Sequence, residues 1–462
     1  MVFSEVDQVM RSKISTYFPR SSLDLRIVCE KGFNGTEIIS ERLALTDTYF
    51  NTFSRRVQLA FVLFAVVSFI VYYYIIRSRD YSPRTAKCAL VMDFINNSAP
   101  KKIKHRKKLE ELCDDVKRST KAGNVPPVYP NGWYVIVESG DVLQNWVKYI
   151  AVLGENLAVF RTAEGTVRVV DAYCTHSGAH MTIGGQVQEN CLTCTFYGCR
   201  FRGPTEKSTK APYTEKVPDF ARVRTWKSCE VNDCVFVWYH AEGKEPTWEP
   251  RPWEEISNKW YVGRYQHSIK CHIQDLNENV SDFAHFDAVH APIYFGGSRI
   301  WDLFSRAMAI FIQQQATCVG WETDGSDKPH VLTIHVLYRL RLIGKFTIFT
   351  GRITARHFGP GCLQLLTETL FGKLCTITLF TPHNPLRQQV VSRFYSSPLG
   401  ILFARIFIPF TSAQIERDTP ILECKMFMDK PLLLKEEDSI LNFRRWYSQF
   451  YTANSPRYTQ QH

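Results

Sequence analysis

Two short stretches of this chain pair cysteine with residues that can bind metals. Residues 174–187 read CTHSGAHMTIGGQV, so Cys174 lies two positions before His176. Residues 194–203 read CTFYGCRFRG, so Cys194 lies three positions before Tyr197. Thiolate and imidazole are ligands that iron and zinc accept in proteins. Glycines in both stretches allow tight turns, so we expect a metal centre held between two loops.

Short runs of β-branched and aromatic residues surround these stretches and predict a small all-β domain. The runs lie at 133–137, 147–152, 157–160, 167–170 and 234–239. Runs of this length, bounded by polar residues or glycine, are typical of antiparallel strands. We therefore predict a β domain over 129–241, with both cysteine-containing stretches on loops between strands.

The two loops resemble the binding site of a Rieske [2Fe–2S] domain. In that site two cysteines hold one iron and two histidines hold the other. The resemblance implies that Cys174, His176 and Cys194 are three of the four cluster ligands. It places Tyr197 at the position where the Rieske pattern has its second histidine.

Position 197 leaves several alternatives open. Tyr197 could bind iron only as a phenolate, against a free pKa of about 10, and an anionic ligand should lower the reduction potential. Cys199 or His180 could instead supply the missing ligand. A zinc site is the competing structural interpretation. Its four ligands would be Cys174, His176, Cys191 and Cys194.

A second motif, NVSDFAHFDAVH at 279–290, predicts a site for a single iron ion. Two histidines and one carboxylate form the ligand face of many non-haem iron enzymes and leave positions open for O2 and substrate. Residues three apart share a face of an α-helix, so we expect Asn279, Asp282 and His285 on one side of a helix. His290 follows five positions after His285, so a helix irregularity or a helix end must turn it toward the same point.

The carboxylate that completes this ligand set is expected far along the chain. Asp418 is the first candidate, and Glu416 and Glu423 are the alternatives. Strand-like runs precede these residues and a helical tail follows them. The runs lie at 331–336, 345–349, 363–367 and 376–380, and the tail lies at 440–451. This order predicts an α+β domain over 242–462, with an antiparallel sheet and helices to one side.

An apolar segment near the N-terminus predicts a membrane anchor. Residues 57–76 read VQLAFVLFAVVSFIVYYYII, without any charged side chain, and twenty helical residues span a bilayer core. We expect a transmembrane helix at 55–77, after a segment at 1–54 without a motif and before a basic linker at 78–128. Basic residues are densest at 77–108, which predicts that the C-terminal part of the chain faces the cytosol. We expect a single-pass protein with the endoplasmic reticulum as its membrane.

Composition excludes several other classes of protein. Aromatic residues make up 13% and hydrophobic residues 45% of the chain, which is typical of folded proteins. The 14 cysteines are scattered over 462 residues, unlike those of a short secreted disulfide scaffold. Much of the net charge of +11 lies in the run KKIKHRKK at 101–108. Because no nucleic-acid-binding motif accompanies this run, we interpret it as facing anionic lipid and predict no nucleic-acid partner.

The order of these elements resembles that of the Rieske oxygenases called cholesterol 7-desaturases, the Neverland family. The most specific parts of the resemblance are HFDAVH at 285–290 and LNFRRWYSQFY at 441–451. It implies a membrane-anchored protein in which an all-β Rieske-like domain precedes an α+β helix-grip catalytic domain with an apolar tunnel. It also implies that His285, His290 and Asp418 bind a mononuclear non-haem iron.

The resemblance further implies the reaction. Electrons would pass from NAD(P)H through a reductase to the [2Fe–2S] cluster, and then to the mononuclear iron. Asp282 would act as the electron bridge between subunits of a homotrimer, and Asn279 would belong to the same catalytic site. Activated O2 would remove hydrogen from C7 and C8 of cholesterol, which gives 7-dehydrocholesterol for steroid hormone biosynthesis. A related steroid hydroxylase and a sterol-binding protein that has lost electron transfer through Tyr197 are the alternatives.

Overall fold

The structure is a computed structural model that describes eight segments of the chain. These are residues 124–188, 190–202, 208–210, 222–290, 311–325, 327–369, 372–434 and 438–458. The predicted transmembrane helix at 55–77 lies outside the described residues, as do the N-terminal segment and the linker up to residue 123.

Ten short strands form three antiparallel sheets in the first half of the described chain. Their bounds are β1 Gly132–Glu138, β2 Val147–Val152, β3 Glu155–Arg161, β4 Val167–Asp171, β5 Gln186–Gln188, β6 Cys191–Thr193, β7 Arg200–Arg202, β8 Ser208–Lys210, β9 Ser228–Val231 and β10 Cys234–Tyr239. The sheets have the strand orders β1-β10-β9, β2-β3-β4 and β5-β6-β7-β8. The predicted runs at 147–152 and 234–239 coincide with β2 and β10. All six residues of β10 are buried, because this strand packs against apolar residues on both of its faces.

Seven longer strands form one antiparallel sheet in the second half. Their bounds are β11 Trp260–Ile269, β12 Ile312–Asp324, β13 Lys328–Leu342, β14 Phe346–Phe358, β15 Cys362–Thr369, β16 Gly372–Asn384 and β17 Arg387–Ser396. The order across the sheet is β11-β17-β16-β15-β14-β13-β12. The runs predicted at 331–336, 363–367 and 376–380 lie within β13, β15 and β16, and the run at 345–349 overlaps the start of β14. Strand β11 comes first in sequence but pairs with β17, which only the tertiary structure reveals.

Five described helices accompany the large sheet. Their bounds are α1 Glu254–Ser257, α2 Ile273–Glu278, α3 Phe283–His285, α4 Ile401–Cys424 and α5 Asp438–Tyr447. Helix α4 lies against β11 and β17. Within the described residues, only the helical segment 398–424 is long and apolar enough to cross a membrane. This is a weak indication, because core helices share these properties and Ala404 and Ile408 of α4 are buried against the sheet. The predicted tail consists of α5 followed by a 3-10 turn at Ser448–Phe450.

The two faces of the large sheet serve different purposes. On β16 the odd-numbered residues of 375–379 pack with apolar residues of β1 and β10. The even-numbered residues of 376–380 line a cavity whose opposite wall includes α4. Because successive side chains of a strand point to opposite faces, one face of the sheet packs against the β domain and the other face lines the candidate site.

Candidate metal centres

Two loops of the same geometry carry the predicted cluster ligands. The first connects β4 and β5 and begins with Cys174, and the second connects β6 and β7 and begins with Cys194. In each loop the cysteine N–H donates to the carbonyl five residues later, at 2.8 and 2.9 Å. The N–H four residues after each cysteine donates back to the cysteine carbonyl at 2.8 Å. That residue is Gly178 or Gly198, with φ of +74° and +66°, a conformation that favours glycine.

The two loops bring two thiols and two rings to one place. Cys174 and Cys194 are buried in one apolar cluster. Burial raises the pKa of Cys174 to about 11, and the neighbouring Cys194 thiol adds to this shift. The Tyr197 ring stands edge-on to the His176 ring, with centroids 4.1 Å apart. Two thiols and one imidazole therefore fit a Rieske cluster, and a phenol lies beside the imidazole in place of a second one.

The two alternative donors for position 197 are placed differently. The His180 ring packs between Tyr149 and Tyr173, with centroid distances of 4.8 and 5.0 Å. Its Nδ1 hydrogen-bonds with the Thr182 hydroxyl at 2.9 Å. Cys199 is buried in the same apolar cluster as the two loop cysteines. Cys199 thus shares the apolar cluster of the two loop cysteines, whereas His180 contacts Tyr149, Tyr173 and Thr182.

The four ligands of the zinc interpretation do not form a compact group of metal-binding atoms in the described part of the chain. Within the described residues, one group of three or more His, Cys, Asp or Glu side chains has all its ligand atoms within 4.8 Å of one another. That group is His285, His290 and Asp418, and none of the four proposed zinc ligands belongs to it.

The second candidate centre joins residues that are 128 positions apart. Nε2 of His290 lies 3.0 Å from Oδ1 of Asp418, and the His285 and His290 rings have centroids 5.3 Å apart. His290 is buried, and its Nδ1 lacks a hydrogen-bond partner. Two imidazoles and one carboxylate at these distances fit the ligand set of a non-haem iron(II) ion.

The other predicted carboxylates do not join this group. The Ser412 hydroxyl donates to Oε1 of Glu416 at 3.4 Å. The backbone N–H of Lys270 donates to Oε1 of Glu423 at 3.3 Å. Of the three acidic candidates on α4, the structure therefore brings only Asp418 to the two histidines.

A break in the helix explains how two histidines five residues apart can meet. The expected helix face shared by Asn279, Asp282 and His285 is not formed, because α2 ends at Glu278 and α3 begins after Asp282. The irregularity expected between His285 and His290 is present. Residues Phe286–His290 then form a π-helical turn. A π turn is wider than an α turn and brings the residue five positions later back above the first. His290 therefore lies beside His285, as the spacing required.

Asp282 positions His285 through the backbone and through its side chain. Its Oδ1 accepts the His285 N–H at 3.1 Å, and its carbonyl accepts from His285 Nδ1 at 2.6 Å. The second bond leaves Nε2 of His285 as the nitrogen that can bind a metal. Burial alone would lower the pKa of His285, but Asp282 and the charge of Asp418 outweigh it and raise the pKa. Burial would raise the pKa of Asp282, but its bonds to His285 lower it.

Three polar residues without any sequence signal hold the end of the π turn. Nε2 of Gln314 donates to the His290 carbonyl. The Gln314 side-chain oxygen accepts from the Tyr338 hydroxyl at 2.8 Å and from Gln414 Nε2 at 3.3 Å. These residues come from β12, β13 and α4, so the bonds tie the metal-binding turn to both walls of the cavity.

An elongated cavity of about 270 Å³ adjoins the candidate iron ligands. Phe403 and Asp418 both line it, and fifteen residues of α4 separate them by about 22 Å along the helix axis. Asn279 and Asp282 also lie on its wall. Most other lining residues are apolar, including Val336, Phe349, Leu363, Leu365, Phe380 and Phe407. The cavity can therefore hold a long apolar molecule beside a metal ion.

Comparison with known proteins agrees with this arrangement. Residues 132–221 match the Rieske [2Fe-2S] domain family, and residues 237–451 match the family of the 3-ketosteroid 9alpha-hydroxylase C-terminal domain. A cholesterol 7-desaturase nvd of Xenopus laevis is 40% identical over 358 residues, which cover 75% of this chain and 77% of that protein. This chain belongs to the cholesterol 7-desaturase family.

Two further relatives are similar to this chain at lower sequence identity. A cholesterol 7-desaturase nvd of Drosophila melanogaster is 35% identical over 369 residues, which cover 77% of this chain and 85% of that protein. A probable 3-ketosteroid-9-alpha-monooxygenase oxygenase component of Rhodococcus rhodochrous is 27% identical over 354 residues, covering 73% and 84%. The expected resemblance is confirmed, and as a member of the cholesterol 7-desaturase family the chain is an oxidoreductase with a Rieske domain.

A solved structure shares the fold at low sequence identity. The crystal structure of dicamba monooxygenase bound to dicamba has a TM-score of 0.53 and 16% identity, and the match covers 70% of this chain and 97% of that one. The predicted order of a β-rich Rieske domain followed by a catalytic domain is confirmed. The membrane part of that prediction lies outside the described residues.

Proposed function

We propose that this chain converts cholesterol to 7-dehydrocholesterol. The observation that carries the proposal is the group of His285, His290 and Asp418 in the wall of an elongated apolar cavity, in a chain of this family. Relatives at 35–40% identity are named as cholesterol 7-desaturases, whereas the ketosteroid monooxygenase relative is 27% identical. Desaturation is therefore favoured over hydroxylation and over a sterol-binding role without catalysis.

The proposed reaction needs two electrons from outside the chain. Cholesterol loses the hydrogens at C7 and C8, O2 is reduced, and NAD(P)H with one proton supplies the remaining reducing equivalents, which yields two molecules of water. We propose that a separate reductase delivers these electrons and that the product enters steroid hormone biosynthesis. When bound, the cluster would relay electrons and the mononuclear iron would activate O2.

The residues of this chain would hold and orient the reactants. His285, His290 and Asp418 would bind the iron, and Asp282 would fix the His285 ring so that Nε2 faces it. The exposed side of Asp282 would also make it the electron bridge to a neighbouring subunit of a homotrimer. Asn279 would complete the cavity wall beside the iron. The apolar walls would exclude water and align the sterol by its carbon skeleton.

We propose that the [2Fe–2S] cluster binds to Cys174, Cys194, His176 and Tyr197. Each loop closes through the same pair of hydrogen bonds, which supports two matching halves of one site. The position of the Tyr197 ring beside His176 supports the phenolate oxygen as the fourth ligand. An anionic oxygen donor in place of a neutral imidazole would lower the reduction potential of the cluster.

We propose that one end of the catalytic domain contacts a membrane. Register pairs such as Trp260 with Ser396 and Leu342 with Phe346 bring several strand ends to the same end of the sheet. Large apolar side chains are exposed there or at the start of α4. They are Trp260, Tyr261, Phe311, Ile343, Phe346, Ile348, Leu399, Leu402 and Ile406. Lys345 is exposed in the turn beside them. Aromatic, aliphatic and basic side chains together suit a lipid headgroup region.

This surface supports the proposed localisation in the endoplasmic reticulum membrane, with the catalytic domain on its cytosolic side. A photo-crosslinking amino acid at position 402 of the full chain should form lipid adducts in reconstituted vesicles. The same amino acid at position 432, which is exposed beyond the other end of α4, is the control. Equal labelling at both positions would contradict the proposed contact.

The proposed activity is tested by sterol analysis. Mass spectrometry of cholesterol-fed cells expressing the chain should show 7-dehydrocholesterol, and the Asp418→Ala variant should show none. Glu416→Ala, which changes a carboxylate on the same helix that does not meet the histidines, should retain product. Absence of 7-dehydrocholesterol from both the natural chain and its Tyr197→His variant, despite full expression, would refute the proposal.

A further inference from the structure

One hydroxyl group in the cavity wall has no hydrogen-bond partner. The side chain of Thr376 is 3% exposed and lines the same cavity as the candidate iron ligands. Its Oγ1 is buried and makes no hydrogen bond. A buried hydroxyl without a partner destabilises the folded protein, so such a group in a binding cavity points to a partner on the ligand.

The neighbours of Thr376 across the sheet cannot supply that partner. On β16, Thr376 lies directly opposite Leu365 of β15 and Phe394 of β17. Leu365 also lines the cavity, and Phe394 is buried. Both side chains are hydrocarbons, so the Thr376 hydroxyl is a polar point within an apolar stretch of wall.

The hydroxyl groups one step along the sheet are already engaged. Thr378 Oγ1 and Ser392 Oγ share a hydrogen bond of 2.9 Å. The Tyr265 hydroxyl bonds to Ser392 and to Thr411. Thr411 Oγ1 also donates to a backbone carbonyl of α4. Among these hydroxyl-bearing residues, Thr376 alone has an unpartnered oxygen.

We propose that Thr376 Oγ1 forms the hydrogen bond to the single hydroxyl group of the sterol, and so orients the substrate in the cavity. The inference rests on the proposed function, because it takes the ligand to be a sterol. A sterol is an apolar body with one polar group, and this stretch of wall is apolar around one buried hydroxyl that lacks a partner. A site with such a group discriminates against an analogue that lacks the matching hydroxyl.

The test compares two ligands and three proteins. The ligands are radiolabelled cholesterol and radiolabelled cholest-5-ene, which has the same carbon skeleton without the hydroxyl. The proteins are the natural full chain, Thr376→Val and Thr378→Val, each purified in detergent. Valine has nearly the shape of threonine, so the substitution removes the hydroxyl and keeps the volume. Thr378 is the matched control, because it lines the same wall two residues along the same strand and its hydroxyl already bonds to Ser392.

The natural chain should bind cholesterol about tenfold more tightly than cholest-5-ene, which corresponds to about 1.4 kcal/mol. Thr376→Val should bind the two sterols equally, and Thr378→Val should keep the tenfold preference. In ligand-free protein, Thr376→Val should also raise the unfolding temperature, since it removes an unsatisfied buried hydroxyl.

Three results would overturn the inference, and they are distinguishable. If Thr376→Val keeps the preference for cholesterol, the hydroxyl binds elsewhere while the sterol assignment stands. If the natural chain binds both sterols equally, the cavity does not recognise the hydroxyl group. The assignment of a sterol as the ligand would still stand in that case. If the natural chain binds neither sterol, the proposed function and the subsite both fail.

Discussion

The ion pair between Glu278 and Arg444 fastens the C-terminal helix to the element that leads into the iron motif. Nε of Arg444 donates to Oε2 of Glu278 at 2.7 Å, and Nη2 donates to Oε1 at 3.0 Å. The side chains are 15% and 6% exposed, so water screens the pair weakly. Arg444 also donates to the Met428 carbonyl at 2.7 Å and lies over the Phe427 ring. We predict that Arg444→Met destabilises the catalytic domain strongly.

The magnitude follows from what the substitution leaves behind. Removing one partner of a buried ion pair costs about 3–5 kcal/mol, because the other charge stays buried without its partner. The Lys425 ammonium lies near Glu278 and would offset part of this loss, although it is bound to Asp275 at 2.9 Å. We therefore expect a loss of about 3 kcal/mol, which lowers the unfolding temperature of a domain of this size by about 6–12 °C.

Differential scanning calorimetry of the full chain measures this shift. Arg445→Met is the matched control, because Arg445 is the next residue on α5 and its side chain is exposed. Its effect should stay within about 0.5 kcal/mol. The double variant Glu278→Met with Arg444→Met should recover part of the loss, since no buried charge is then left unpaired. If Arg444→Met shifts the unfolding temperature no more than Arg445→Met does, the pair is screened and the reasoning is refuted.

Three further predictions concern the metal centres and the response to pH. Tyr197→His should raise the reduction potential of the cluster, because a neutral ligand replaces an anionic one. Redox titration followed by electron paramagnetic resonance measures this potential. An unchanged spectrum would exclude Tyr197 as a ligand. Asp418→Ala should lower the content of mononuclear iron more than tenfold by metal analysis, since its carboxylate is one of three ligands. Burial lowers the pKa of His357 to about 3, so this ring stays neutral in the folded chain at pH values where the unfolded chain protonates it. His357 alone should lower stability by about 1.4 kcal/mol per pH unit below about 6.5, in addition to the effect of buried His267, whose pKa is lowered to about 4. His357→Leu should therefore reduce, without abolishing, the pH dependence in unfolding titrations at pH 5–7.

Local patterns in the sequence were enough to predict much of the architecture. Runs of β-branched and aromatic residues marked strands such as β2 and β10, because the side-chain period of a strand is two residues and needs no distant partner. The cysteine loops and the motif at 279–290 were recognisable because metal ligands recur at fixed short spacings. The spacing of His285 and His290 also showed that a regular helix could not serve both residues.

Other features followed from tertiary structure alone. The sequence named Asp418, Glu416 and Glu423 as candidate carboxylates, but only the fold shows which of them reaches the two histidines. Which carboxylate reaches them depends on how α4 packs across the sheet. That packing results from many weak contacts between residues far apart in sequence. The spacing of His285 and His290 likewise required some helix irregularity, but it did not specify the π turn at Phe286–His290.

The environment of individual polar groups was the least predictable feature. Thr376 and Thr378 have the same side chain, lie two residues apart on one strand and face the same cavity. One hydroxyl meets Ser392 across the sheet and the other meets only hydrocarbon. The sequence by itself thus determined the domain order, most strands and the types of metal ligand, because these depend on neighbours along the chain. The tertiary structure decided which ligands meet and which polar groups stay unpaired, because these depend on cross-strand register and on the packing of α4.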